Sequence, residues 1–478
     1  VAIDFSRYQP PGVYTEAVPG PQLSVQSLTP TAVGLFGMSI GYRRDTESLV
    51  VDPDTDATTP AVNRTLRQAG IRRDTLTVRN PNSGELYQLD TDYTVHQVSA
   101  GADATPGTRD DLYTIRRVID GGHIDPGDTL EVSYAYVDEN YFDPYSFYDY
   151  DDVRDAYGAP FDAAGNLQSE LTLAAKFAFQ NGAQRVICVA VDPSAPDTPT
   201  LADYEDALGR LRDESDISVI VPATGTQQIQ SLVVAHVNQQ SRNRYERRAI
   251  VGRDGTGTAV SSAQRITDAQ GMRNSRVAMV SPATMRYFAP ELNKEILLGG
   301  QFLAAAAAGI SVSQNPALPL TRRQVVGFAD VGEKLAESQK NLESQSGLMV
   351  IEKTRSNSVR VRHGVTTNPQ DTLTREWSVV GQEDAMVYRL REYLDNDRLI
   401  GDIIDELTMV NVKASADAAL SSLVRDRIVR GYRDLKVRQV ETQPDVIEIR
   451  YEWLASLPLN YLLVRYSLNV TSGEVASV

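Results

Sequence analysis

Apolar positions along this chain fall into three successive patterns. From 31 to 37 the run TAVGLFG is apolar without alternation, as in a strand buried on both faces. From about Asp45 to Asp152 the pattern changes to short alternating runs, TLTVRN, LYQLDTDYTVHQV, DLYTIRRVI and DTLEVSYAYV, parted by Gly and Asp clusters. This spacing predicts an inserted all-β module. Helical periodicity then appears in SELTLAAKFAFQN, with Gly182 as the residue past its end, and leads into the strand RVICVAV. The alternation repeats three times. A helix near 201–213 leads to ISVIVPA, one near 227–243 to RRAIVG, and one near 261–272 to RVAMVSP. Apolar strands alternating with helices predict a mostly parallel sheet covered on both faces. The run 295–308, ending in five alanines, is helical by propensity and slim enough for close packing.

Beyond about Ser356 the spacing predicts a third region. It has a strand in VRVRHGVTT, helices near 383–406 and 414–431, and three strands, LKVRQV, DVIEIRYEWL and YLLVRYSLNV. Ile447, Ile449 and Tyr451 share one face of the second strand, and Leu462, Val464, Tyr466 and Leu468 share one face of the third. Pro458, in SLPLN, separates the two, so the last strand is expected to leave its own sheet with an apolar face still to be covered. At the other end, Pro10, Pro11, Pro19, Pro21 and Pro30 forbid a helix and demote any strand to an edge. The extended run GVYTEAV between them is too short to fold alone and needs an existing sheet edge.

Size and charge narrow the function classes. A chain of 478 residues, 41% hydrophobic and 23% charged, can bury several cores and is expected to form two to four domains. A net charge of −16 and the absence of a basic run disfavour direct nucleic-acid binding. With no apolar stretch of about 18 residues, and with VAIDFSRYQPPG lacking the features of a leader, neither membrane insertion nor a signal peptide is expected. Cys188, inside RVICVAV, has no partner for an internal disulfide and is expected to pack as a small hydrophobe, which fits synthesis in a reducing compartment. His96, His123, His236 and His363 lack metal-ligand spacing. No catalytic residue, metal ligand or cofactor site is assigned.

Five features bear on chemistry or contact. Gly37, Ser39 and Gly41 match G-x-S-x-G after an apolar strand, yet YRRDTESL follows in place of the helix that would hold a nucleophile. A serine hydrolase using Ser39 therefore stands as a remote alternative to a glycine-flanked turn. Asp52, Asp54 and Asp56 copy the first ligands of a calcium loop, but Ala57 and Asn63 occupy the positions of its glycine and bidentate glutamate. A solvated acidic loop is the better reading. GRDGTGT, with Gly252, Gly255 and Gly257, lacks a phosphate-binding order, and a flexible loop is expected. From Asp138 to Asp155 the aromatics Tyr141, Phe142, Tyr145, Phe147, Tyr148 and Tyr150 interleave with acids, either as a contact surface or as a linker laid over a domain. Finally, Arg425, Arg427, Arg430 and Arg433 stand in an acidic protein as either a solvated helix face and end or a patch for an acidic partner.

Taken together, PPGVYTEAVPGP, TPTAVGLFG and PDVIEIRYEWLASLPLNYLLVRYSL resemble the tail sheath proteins of contractile-tailed bacteriophages, in that family's order and across nearly the whole chain. The resemblance implies an α+β multidomain fold: an N-terminal arm and linker (1–27), an α/β core (28–44 plus 153–355), an inserted outer β domain (45–152), a C-terminal α+β domain (356–456) and a C-terminal arm (457–478). It further implies a structural subunit of a helical sheath, made in the host bacterial cytoplasm and placed in the virion tail, with tail tube, baseplate and tail terminator proteins as partners. The sheath of a phage-derived injection particle or bacteriocin is the alternative. By the same resemblance the N-terminal arm, at Val13, Tyr14, Thr15 and Glu16, and the C-terminal arm, at Leu462, Val464, Tyr466 and Leu468, each add a strand to a neighbour's sheet around Ile447, Ile449 and Tyr451. The arginines become candidates for the tube-facing surface, and PGPQLSVQSL and SLPLN for hinges.

Overall fold

The computed structural model describes residues 31–55, 59, 63–99, 111–193, 199–395 and 399–466. Its centre is an eight-stranded sheet in the order Val359–Val361, Leu348–Lys353, Val277–Ser281, Arg248–Gly252, Ile217–Pro222, Ala32–Gly37, Val186–Ala190, Tyr145–Phe147. The six inner strands run parallel and the two edges antiparallel. Ala32–Gly37, first in the chain, lies inside the sheet and is buried at every position, which explains its unbroken apolar run. Helices cover both faces. Leu201–Arg210, Gln227–Arg242 and Ser262–Met272 pack on one, and Glu170–Gln180 and Gly300–Val312 on the other. Cys188 is buried in the sheet, as expected.

The alanine run forms the slim helix Gly300–Val312, in which a Cβ on Gly309 would come within 2.3 Å of the Ala178 carbonyl oxygen. Close passage beside Glu170–Gln180 therefore requires small residues. The helix begins later than its propensity predicts. Residues 295–299 belong instead to the strand Lys294–Gly299, which pairs antiparallel with Thr284–Ala289.

The inserted module has its own core of Leu49, Val78, Ile115, Leu130, Val132 and neighbours, built on a four-stranded sheet and a two-stranded pair. LYQLDTDYTVHQV, read as one run, breaks into Leu86–Tyr87 and Tyr93–Ser99 around a turn at Asp90. On the return path Tyr141, Phe142 and Phe147 are buried in the main core beside Tyr157, whereas Tyr148 is exposed. The interleaved aromatics thus lay this segment over the core domain.

In the third region, VRVRHGVTT contributes only Val359–Val361, which joins the central sheet through Leu348–Lys353. The two helices are Trp377–Leu394 and Glu406–Arg425, not 383–406 and 414–431. The second stops six residues before Gly431 because Arg427 adopts a left-handed φ of 57°. Ile428 N then donates to Leu423 O at 2.9 Å and Arg427 N to Val424 O at 3.0 Å, the paired bonds of a Schellman ending. Two long strands follow, Val429–Val440 and Gln443–Ala455, as an antiparallel ribbon.

Candidate functional site

The ribbon is the feature that the rest of the described chain leaves unfinished. Its register sets Val437 opposite Ile449, Gln439 opposite Ile447 and Tyr432 opposite Trp453, with irregularities at Arg433/Lys436 and near both ends. One end is seated. Tyr432, Leu435, Tyr451 and Trp453 pack against Ala385, Met386, Leu420 and Leu423 of the two helices, and burial raises the Tyr451 hydroxyl pKa. Ile447 and Ile449, further along the same face, are only half-buried and lie outside that cluster. The sequence reading missed Trp453 and Tyr432, although Trp453 continues the alternation of Ile447, Ile449 and Tyr451. With only two strands among the described residues, the ribbon keeps a free edge on each side.

Next to it lies the third predicted strand. Leu462, Val464 and Tyr466 are 79%, 68% and 92% exposed and belong to no strand of this chain. Leu468 and the N-terminal residues Val13, Tyr14, Thr15 and Glu16 lie outside the described residues.

The arginines do not share a helix face. Arg425 ends the helix, Arg427 occupies the left-handed turn, and Arg430 and Arg433 lie on the first ribbon strand. Arg433 Nε donates to Glu452 Oε2 across the ribbon at 2.7 Å. Arg427 and Arg430 instead line a cavity of about 470 Å³ with Val424, Val429, Ala455, Ser456 and Leu457.

The chemical motifs are occupied otherwise. Ser39 is buried and its hydroxyl shares a 2.8 Å hydrogen bond with the Tyr141 hydroxyl, which also accepts from Gly41 N at 3.3 Å. That tyrosine ties the outgoing and returning linkers of the inserted module together, a bracing role in place of a nucleophile's. Arg117 Nε donates to Asp54 at 2.9 Å, so this carboxylate neutralises an arginine. Gly252 is a point of close approach: a Cβ there would lie 2.1 Å from Gly300 O. Among the described residues no group of three or more His, Cys, Asp or Glu is placed to hold a metal, and no helix is long and apolar enough to cross a membrane.

The model of the phage tail sheath protein central domain matches residues 197–367. A tail sheath protein of Mycobacterium phage Bxz1 is 46% identical, covering 100% of this chain and 99% of its own. That of Bacillus phage SP01 is 28% identical over 58% of this chain and 47% of its own. Among solved structures, the contracted helical sheath of the anti-feeding prophage superimposes with a TM-score of 0.56 at 13% identity, covering 97% of this chain and 100% of that one. The contracted PVC sheath complex of an extracellular contractile injection system gives 0.53 at 13% identity, covering 97% and 99%. At such identities these two likenesses concern the fold.

Proposed function

Because the chain belongs to the phage tail sheath family, we propose that its ribbon is the acceptor, and its two ends the donors, of strands exchanged between copies in a helical sheath. The protein is a structural subunit of a contractile tail sheath and a component of the virion tail, not an enzyme. The observation that carries the exchange is a two-stranded ribbon with open edges beside an exposed apolar segment, Leu462, Val464 and Tyr466. Strand addition supplies main-chain hydrogen bonds for affinity and alternating side chains for register. The half-buried Ile447 and Ile449 supply the apolar stripe that such a strand would extend. Each main-chain bond contributes about 0.5–1.5 kcal/mol net, so one arm is weak alone, while two arms per copy over a helical array hold by multivalency.

Heterologous contacts that do not close on themselves build an open tube. The sheath surrounds a tail tube and shortens from a metastable extended state to drive that tube through the host envelope, the gain in contact between copies summing along the array. Baseplate and terminator proteins bound its two ends, and it assembles in the host cytoplasm. The full-length phage relative favours a phage tail over an injection particle. Negative-stain microscopy of the intact chain beside one starting at Gln22 and one ending at Asn460 tests the exchange. Both shortened chains are expected to fold and fail to build tubes; tubes as abundant as those of the intact chain would overturn strand donation.

A further inference from the structure

The ribbon's second strand ends at Ala455, yet the chain does not come free there. Ser456 N donates to Gln382 Oε1 at 2.7 Å, and Gln382 Nε2 donates to the Ser456 carbonyl at 2.9 Å. A primary amide thereby offers this peptide the donor and acceptor that a neighbouring strand would offer. Gln382 is wholly buried in Trp377–Leu394, and its Nε2 also donates to Ser378 O, at 3.2 Å, so its orientation is set by the helix. A second contact follows. Asn460 Nδ2 donates to Glu376 Oε1 at 3.1 Å, the same oxygen that meets His363 Nε2 at 3.0 Å and lies 3.6 Å from Arg375 Nε. Glu376 is 3% exposed, stands immediately before the helix, and its Oε2 has no hydrogen-bond partner. A carboxylate removed from water to this degree depends on the donors it retains, and Asn460 is one of them.

Ser456 and Asn460 are the first and last residues of SLPLN, the segment whose proline suggests a hinge. Past Asn460 the restraint ends. Among the described residues none from Tyr461 to Tyr466 is held by a hydrogen bond, and Tyr461, Leu462 and Leu463 are 78%, 79% and 77% exposed. We propose that Gln382 and Glu376 are positioning residues that clamp both ends of SLPLN, so that the donated C-terminal strand bends after Asn460 and not across Pro458. The proposal rests on the strand-exchange reading given above. Its consequence concerns accuracy of assembly. Fixing the root in two places removes that segment's freedom before a neighbour is met, which lowers the ordering cost of each donation and fixes the direction in which the arm departs.

Amide hydrogen exchange on the unassembled full-length chain, combined with the threshold concentration for tube formation, tests this. Gln382→Ala is expected to speed exchange at the Ser456 amide by about tenfold, the loss of one buried hydrogen bond, and to raise the threshold by a similar factor. Asn460→Ala, which lies on the loop and removes one donor from the buried Glu376 carboxylate, should raise the threshold about threefold with only a small fall in Tm. Unaltered Ser456 exchange in Gln382→Ala would overturn the clamp. So would wild-type thresholds in both variants, because the contacts would then be structural without positioning the arm. If the chain ending at Asn460 still builds tubes while Ser456 remains protected, strand donation is what fails, and the two failures are told apart.

Discussion

The central sheet and the ribbon are made of the same backbone and solve its hydrogen bonding in opposite ways. Ala32–Gly37 is buried at all six positions and paired along both edges. Gln443–Ala455 has no fully buried residue and is paired along one edge. Charge follows the same division. In the core, Arg265 and Glu343 are both 0% exposed in their side chains and bonded at 2.8 Å, with Ser281 Oγ donating to the same carboxylate at 2.6 Å. On the ribbon, Arg433–Glu452 and Arg438–Glu448 face water, where screening leaves such pairs little weight. The core is paired throughout, whereas the ribbon keeps open edges among the described residues, which the proposed exchange would fill. Stability and assembly should therefore respond to different mutations.

The largest separation is expected from Arg265→Met. It strands the Glu343 carboxylate in the core, a loss of about 3–5 kcal/mol by thermal or denaturant unfolding. Adding Glu343→Met should recover most of that loss, because the uncompensated charge is then gone. At permissive temperature tubes should still form at the wild-type threshold. A shifted threshold with stability restored would break the division between core and ribbon.

A smaller effect resides in Glu170, which opens the helix Glu170–Gln180 beneath the Gly37 to Gly41 turn. Burial and the nearby Asp254 push its carboxyl up to about 7, against a hydrogen bond from Met38. Its Oε2 has no partner. The folded value lies above the ordinary 4.5, so protonation favours the folded state, and that contribution is lost as pH rises from about 4.5 through 7. Glu170→Gln should accordingly be more stable than wild type at pH 8 by about 3 kcal/mol, a gap that closes below about pH 4.5. Stability curves across this range check the sign, and an equal gap at both ends would assign the gain to packing.

The core was largely legible because parallel strands covered on both faces must be apolar without interruption, and RVICVAV, ISVIVPA and RVAMVSP are. Legibility failed where distant residues decide. Propensity extends the alanine helix back through 295–299, but Thr284–Ala289 claims those residues as a strand. Ser39 fits a nucleophile motif until Tyr141, 102 residues away, takes its hydroxyl. At the candidate site, alternation exposes Ile447, Ile449 and Tyr451, whereas nothing in the sequence marks Gln382 and Glu376, which meet the arm root across 74 and 84 residues. On the proposed exchange the arm's own pairing is invisible for a different reason, since its partners would belong to other copies.

Arg427 offers the finest test of the division. A non-glycine residue with φ of 57° carries a steric penalty of about 1 kcal/mol, and glycine is the usual occupant of this place in a Schellman ending. Its side chain forms no ion pair among the described residues and faces the cavity it lines with Arg430, so no visible contact offsets the penalty. If the ribbon end is kept for a partner, the arginine is retained for its charge. Arg427→Gly should then raise unfolding stability by up to about 1 kcal/mol while weakening association with a purified, acidic tube protein. Arg427→Glu with Arg430→Glu should weaken that association further, most at low salt, because exposed charges are screened over about 10 Å at 0.1 M ionic strength. The glycine variant gives stability and partner binding opposite signs at a single residue. Unchanged tube association in both variants would leave Arg427 and Arg430 as solvated charges.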